Sequence, residues 1–339
     1  MPERLAVIGN FLANVWPEQT YALTAISGDA SFRRYFRVSL NQSDTEMVHF
    51  VLMDAPPALE DCQRFIAVQQ ACSAAGLRVP AVVAAATEQG LLLLEDLGDQ
   101  LLMQQLDTEN VEQWYASALR QLAMVRHISA TSQGPLPLFD RAFLLREMQL
   151  FIDWFVVKHL QLELDAEELA MLQQLFTLLA DAALEQPQAG MHRDYHARNL
   201  MVLPAQQLAV IDFQDMVWGP VSYDAVSLLK DCYIRWPAAQ VTQQALTFFK
   251  ELQLQGVFSI EWTEQRFLRS FDLMGLQRHL KVCGIFSRLY HRDQKAGYLP
   301  DLPRVLAYVL ETAAAYPECA PLYRLLQLKI MPRFSEISG

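Results

Sequence analysis

Over the first hundred positions apolar and polar residues alternate in short runs, and beyond them the repeat lengthens to that of a helix. Tyr21–Ile26, Phe32–Ser39 and Met47–Met53 follow period two and read as strands. In the second of these the alternation places Phe32, Arg34, Phe36 and Val38 on one face. The turns SGDAS and Asn41–Asp44 separate the three. After Pro56-Pro57, the spacing of Phe65, Val68 and Cys72 predicts a helix over Leu59–Ala75, stopped by Gly76. Ala81–Ala86 and Leu91–Glu95 are two further strands about a turn at Gly90.

Past Asp99 the apolar positions recur at 3.6-residue intervals. Helices are expected over Val111–Ile128, Asp140–Leu160, Ala166–Glu185, Tyr223–Ile234, Ala238–Leu254, Thr263–Leu289 and Leu302–Tyr316. Leu200–Val202 and Leu208–Ile211 interrupt this pattern as a strand pair around Pro204. The pattern predicts an α+β chain of two lobes. Residues 1–97 form a small antiparallel sheet of five strands plus a helix, and residues 98–339 a mostly helical lobe, with LEDLGDQ as the short joint.

Composition narrows the function classes. Hydrophobic residues make up 52% of the 339, enough for buried cores, and a net charge of −11 argues against a nucleic-acid-binding surface. The five cysteines are scattered without CxxC pairs and read as reduced, buried thiols. MPERLAVIGNFLANVW lacks the apolar centre of a signal peptide, and LLLL at 91–94 is too short to cross a bilayer. A cytoplasmic monomer without membrane or nucleic-acid partners is expected.

Chemistry concentrates in HRDYHARNLMVLPAQQLAVIDFQD, residues 192–215. Asp194 and Asn199 reproduce the spacing H-x-D-x-x-x-x-N, and Asp212 closes an apolar run as hydrophobic-Asp-Phe. Phosphoryl transfer needs one carboxylate to orient and deprotonate an alcohol, and an amide oxygen plus a second carboxylate to hold Mg²⁺ on the phosphates. Asp194 suits the first role, Asn199 and Asp212 the second. His192, Asp194 and His196 also alternate as transition-metal ligands would, but no other histidine or cysteine cluster supports that reading.

Upstream, Gly28, Asp29, Ala30 and Ser31 form a turn between two strands whose N–H groups suit phosphate oxygens. The third strand, VHFVLMD, places Met53 where a phosphate-gripping lysine is expected, and leaves Glu60 and Asp61 of the next helix without a strand lysine. Arg34 or Arg37 is the expected substitute cation, with Arg34 favoured by its face, while Arg33 and Arg37 share a face with Tyr35 that also reads as a solvated edge. The backbone of Glu95 and Leu97 suits an adenine edge. Asp215 suits metal, substrate or solvent, and Asp224 suits the backbone donors of the loop before it or of its own helix terminus. No long activation loop follows Asp212, which points to a small substrate.

HRDYHARN, VIDFQD and PVSYDAVSLL resemble the aminoglycoside phosphotransferase-like kinases, a likeness spanning about residues 20–300. It implies a protein-kinase-like fold, ATP and Mg²⁺, with Asp194 as base and Asn199 and Asp212 as metal ligands. GDASFRRYFRV, LLLLEDLGD, REMQLFIDWF and QRHLKVCGIFSRL resemble bacterial cell-wall sugar kinases. That likeness implies transfer to the anomeric hydroxyl of N-acetylmuramate and N-acetylglucosamine, giving 1-phosphates for UDP-amino sugars in peptidoglycan recycling. The missing strand lysine departs from the wider pattern. Glu147 and Asp153 are candidate partners for sugar hydroxyls, Trp154 for a ring face, and Arg278, His279 and Lys281 for a lactyl carboxylate. Kinases of choline, homoserine or aminoglycosides share the same motif, and a non-catalytic nucleotide binder would share the cleft between lobes.

Overall fold

A computed structural model describes residues 2–26, 32–43 and 46–338, so Gly28, Asp29, Ala30 and Ser31 lie outside the described residues. The chain packs as two compact units. The first comprises Met1–Gln105, Ala130–Pro135 and Arg198–Met216, and the second Leu106–Ser129, Leu136–Ala197 and Val217–Gly339. The packing therefore does not follow a single cut at residue 97. The strand pair that carries Asn199 and Asp212 belongs with the sheet.

The first unit opens with a helix, α1 (Pro2–Val15), followed by β1 (Tyr21–Ile26), β2 (Arg34–Ser43) and β3 (Glu46–Asp54). Then come α2 (Cys62–Ala74), β4 (Val82–Ala86), β5 (Leu91–Glu95) and α3 (Leu102–Gln105). The five strands form one antiparallel sheet in the order β1-β2-β3-β5-β4, as the alternating pattern predicts. α1 was not among the expected elements. Its Ile8, Phe11 and Leu12 are buried with Val38, Leu52, Leu91 and Leu93 of the sheet. The signal was present in the i, i+3, i+4, i+7 spacing of Ile8, Phe11, Leu12 and Val15.

α2 starts where the Asp61 side chain accepts hydrogen bonds from the Gln63 and Arg64 N–H groups. It ends as expected at Gly76, whose φ of 83° only glycine adopts without strain. A short pair, β6 (Ala130–Thr131) and β7 (Gly134–Pro135), also belongs to this unit. The hairpin β9 (Leu200–Leu203) and β10 (Gln207–Val210) is tied to it by backbone bonds from Val202 N–H to Gln100 O and Val210 N–H to Arg78 O. Beyond the hairpin, Phe213 meets Phe65 of α2 at 4.9 Å between ring centres, and Met216 meets Cys72 at 3.6 Å between sulfurs.

The second unit is helical, apart from β8 (Gln188–Met191) paired with β11 (Val217–Pro220). Its helices are α4 (Val111–Arg126), α5 (Arg141–Leu150), α6 (Ala166–Leu184), α7 (Tyr223–Leu229), α8 (Ala238–Leu254), α9 (Glu264–His291), α10 (Leu302–Ala315), α11 (Ala320–Leu325) and α12 (Met331–Ser338). The single helix expected over Asp140–Leu160 changes at Phe151 to π-helical winding that lasts to His159. An apolar stripe at helical spacing does not distinguish the two windings.

α9 organises this unit. Its 28 residues make it about 42 Å long, and the stretch from Leu273 to Gly284 is buried on every side. At Gly284 the helix approaches the backbone of α5 so closely that an added Cβ would lie 2.4 Å from the Leu150 carbonyl. A side chain there must push the two helices apart. Gly284→Ala is expected to destabilise the protein by about 1–3 kcal/mol, the usual cost of overpacking. Gly297→Ala, with open space around the added carbon, should leave the denaturant midpoint unchanged. Equal midpoints for the two variants would show that the α9–α5 contact yields.

Candidate functional site

Asp194 stands on a loop of the second unit that begins where β8 ends. β8 is seated by Gly190, where a Cβ would lie 2.3 Å from the Val125 carbonyl oxygen of α4. The loop then takes an unusual path. Arg193 has φ of 80°, a left-handed conformation that is costly for a residue carrying a Cβ. Asp224, buried in the first turn of α7, holds that conformation by accepting from the N–H groups of His192 at 2.7 Å and Arg193 at 2.9 Å. Of the two roles expected of Asp224, loop donors or its own helix terminus, the bonds are to the loop. Asp231, which the sequence pattern did not single out, does the same further on, accepting from Ala197 N–H at 3.1 Å and Tyr233 N–H at 2.8 Å. Burial pushes its carboxyl up to about 6, despite the two N–H bonds.

Beneath the loop lies a buried cluster of charges. Glu147 of α5 meets Arg193 at 2.8 Å and Lys281 of α9 at 3.0 Å. Lys281 also donates to the Tyr223 hydroxyl at 3.1 Å, and Arg278 donates to the Arg193 carbonyl at 3.2 Å. Arg278 lies 3.6 Å from Asp194, whose side chain stays 42% exposed while that of Arg278 is 2% exposed. Gln277, Arg278 and Lys281 lie within one helical turn of α9, and the first and third are i, i+4 neighbours. Burial opposes the charge on Asp194, but Lys281, Arg278, His196 and Arg193 outweigh it and hold the carboxyl well below its ordinary range. Glu147 is likewise held low against its burial, by Lys281 and Arg193.

Asn199 and Asp212 come together in the first unit. The Asn199 amide lies 3.5 Å from Asp212 Oδ2, and Gln214 donates to Asp212 Oδ1 at 2.9 Å. Asp212 has φ of 62°, so it too is held in the left-handed region. An amide oxygen and a carboxylate are the hard oxygen donors that Mg²⁺ takes. The pair fits Mg²⁺. His192 and His196 instead turn their rings edge-on to Tyr195 and Tyr233. Asp215 is half exposed and faces Arg64 at 3.7 Å.

Other expected contacts have different surroundings. Arg34 is bonded to the buried Asp54, which also takes Arg4. Arg37 is bonded to Asp96 at 2.6 Å and Asp99 at 2.7 Å. Both expected substitutes for the lysine are thus committed to carboxylates. Arg33, expected in solvent, is 8% exposed because β2 begins one residue later and Arg33 leaves the pleat. Glu95 pairs with Arg78, and its N–H is taken by Ala81 O at 2.9 Å; Leu97 is half-buried at the strand end, ahead of Gly98 with φ of 84°.

Among the expected sugar contacts, Glu147 and Arg278 are committed to the cluster under Asp194 instead of facing a solute. His279 is 1% exposed, donates from Nε2 to the Lys230 carbonyl at 2.9 Å, and stacks on Tyr308. Burial lowers its pKa to about 3, so it is neutral and has no charge for a carboxylate. Asp153 is exposed and accepts from Gln149 at 2.8 Å, on the π-helical segment beside half-buried Trp154.

Comparison with known proteins places this arrangement. A profile of the phosphotransferase enzyme family matches residues 22–266. An N-acetylmuramate/N-acetylglucosamine kinase of Pseudomonas aeruginosa is 43% identical over 317 residues, covering 93% of this chain and 91% of that one. The protein of the same name from Neisseria meningitidis serogroup B is 38% identical over 326 residues, covering 96% and 95%. Among solved structures, aminoglycoside phosphotransferase APH(2'')-Ib with ADP bound is similar at a TM-score of 0.59, with 14% identity over 91% of this chain and 98% of that one. Choline kinase LicA from Streptococcus pneumoniae is similar at 0.58, with 13% identity over 93% and 100%. At those identities the two structures speak for the fold alone.

The charge cluster predicts an acid response. A carboxyl whose folded pKa is depressed stabilises the protein above its unfolded pKa, and that stability is lost as pH falls through the folded value. Asp194 and Glu147 both belong to this class. Lys281→Met should raise both, so the acid-unfolding midpoint followed by circular dichroism should move to higher pH. Neutral-pH stability should also fall by about 3–5 kcal/mol, as for other broken buried pairs. An unmoved acid midpoint would show that Lys281 does not hold these carboxylates ionised.

Proposed function

The chain belongs to the phosphotransferase enzyme family, and we propose that it transfers the γ-phosphoryl group of ATP to the anomeric hydroxyl of an amino sugar of the N-acetylmuramate and N-acetylglucosamine class. The observation that carries the chemistry is Asp194, a part-exposed carboxylate kept ionised by buried cations on a loop pinned by Asp224. The choice of sugar is supported by relatives of that name at 38–43% identity over nearly the whole chain.

A carboxylate held so acidic is a weak base toward a ground-state alcohol. Its value lies in orientation: it accepts the hydroxyl's hydrogen bond and aims an oxygen lone pair at phosphorus. In a loose, metaphosphate-like transition state, bond formation to the nucleophile lags, and the alcohol becomes acidic only late. Asp194 therefore takes the proton once the new P–O bond is forming. A magnesium ion, when bound, would supply positive charge against the leaving diphosphate. Asn199 and Asp212 would hold it, with Gln214 fixing the carboxylate from the other oxygen.

Release of ADP on a panel of amino sugars, aminoglycosides, choline and homoserine tests the substrate, with phosphorus NMR locating the new phosphate. N-acetylmuramate and N-acetylglucosamine should turn over and yield 1-phosphates. Turnover of choline or an aminoglycoside alone would overturn the sugar assignment, and none on any acceptor would overturn the kinase reading. Asp194→Asn should bind nucleotide normally and lose about 10²–10⁴-fold in kcat, the range for a general base.

A further inference from the structure

We propose that Arg33 is the cation that grips the nucleotide's phosphates, in place of the strand lysine whose position Met53 occupies. The inference rests on the kinase reading above and adds a residue to it. In kinase chemistry that lysine is paired with a helix glutamate and reaches the α- and β-phosphates, next to the metal held by the second Asp. Met53 is buried in β3 and brings no charge. Arg33 Nε instead lies 3.5 Å from Glu60 Oε2, just ahead of α2, and its Nη2 lies 3.8 Å from Asp212 Oδ1. One guanidinium thus meets both an acid at the start of the helix and the carboxylate assigned to Mg²⁺. All of these residues belong to the first unit.

The kind of contact separates Arg33 from the arginines around it. Arg34 and Arg4 share Asp54, Arg37 clasps Asp96 and Asp99, and Arg78 clasps Glu95 in close bonds. Arg64 donates to the Gln214 carbonyl at 3.0 Å and so braces the backbone beyond Asp212. The two contacts of Arg33 to Glu60 and Asp212 are longer than the roughly 2.7–2.9 Å of a charge-assisted hydrogen bond. They hold the guanidinium by charge and direction without saturating these two acids.

Position explains the choice of arginine. Lysine on the third strand works from within the sheet. Arg33 enters from the segment ahead of β2, and its planar fork matches two phosphate oxygens at once, which a lysine ammonium does not.

The test is isothermal titration of Mg·ADP, with steady-state KM for ATP and for N-acetylglucosamine, on wild type, Arg33→Gln and Arg33→Lys. Arg33→Gln should weaken Mg·ADP and raise KM for ATP by about 10–100-fold, the worth of hydrogen bonds to a charged group. KM for the sugar should change by less than about twofold, since uniform nucleotide binding is what is lost. Arg33→Lys keeps the charge against Glu60 and Asp212, and so the fold, but gives up the fork. Its loss should be smaller, about 3–10-fold. Wild-type nucleotide affinity in the folded variants would overturn the proposal while leaving an active kinase. A wild-type protein that neither binds Mg·ADP nor turns over any acceptor would overturn the underlying reading instead.

Discussion

Everything the second unit does for chemistry depends on compensating charges buried together under one loop. Arg193, Arg278 and Lys281 face Glu147, Asp194 and Asp224, and apart from Asp194 these side chains are largely or wholly buried. None of these groups is cheap to bury alone, and removing one partner strands another. Such a cluster contributes little net stability compared with apolar packing, but it fixes geometry: each ion has a small set of positions in which its neighbours are satisfied. The cluster is therefore better understood as a mould for one loop than as a source of folding energy. Asp194 is the member that reaches solvent, and the others determine both where it points and that it carries a charge.

The two halves of the motif are held by different means. Asp194 is fixed electrostatically, with strain displaced onto its neighbour Arg193. Asp212 bears the strain itself, at φ of 62°, and is fixed by Gln214 and by the anchoring of Phe213 and Met216 on α2. The chain passes from one compact unit to the other between Ala197 and Arg198, inside the motif. Left-handed backbone at these two non-glycine residues is a cost that local sequence would not choose. The surroundings impose it, by Asp224 in one case and by the docked hairpin end in the other.

This division explains what could be read from the chain. The five strands, α2 and most long helices follow from periodicities of two and 3.6, which depend on residues close in sequence. Asp194, Asn199 and Asp212 were visible for the same reason. The cluster under Asp194 joins residues as far apart as Glu147 and Lys281, and nothing local distinguishes an arginine in such a cluster from one in solvent. Glu147, Arg278 and His279 therefore read as polar positions available to a sugar, and the fold buries them. Arg33 departs from expectation by the opposite route: the alternation runs from Phe32, two residues ahead of the start of β2, and sends a buried side chain to the surface. α1 was legible in its spacing, but its apolar stripe has meaning only once a sheet face needs covering.

The same division separates fold from specificity. Choline and aminoglycoside kinases share this fold at 13–14% identity, so the fold does not choose the acceptor. A motif that orients a hydroxyl and holds a metal is equally indifferent, because it touches only the atoms common to every alcohol and every nucleotide. Selection must come from side chains that differ among such enzymes and remain accessible. In this chain the obvious polar residues of α5 and α9 are excluded by their commitment to the charge cluster. What distinguishes one sugar from another must then lie on surfaces that the cluster leaves open, and the residues most conspicuous by charge are the wrong place to look for it.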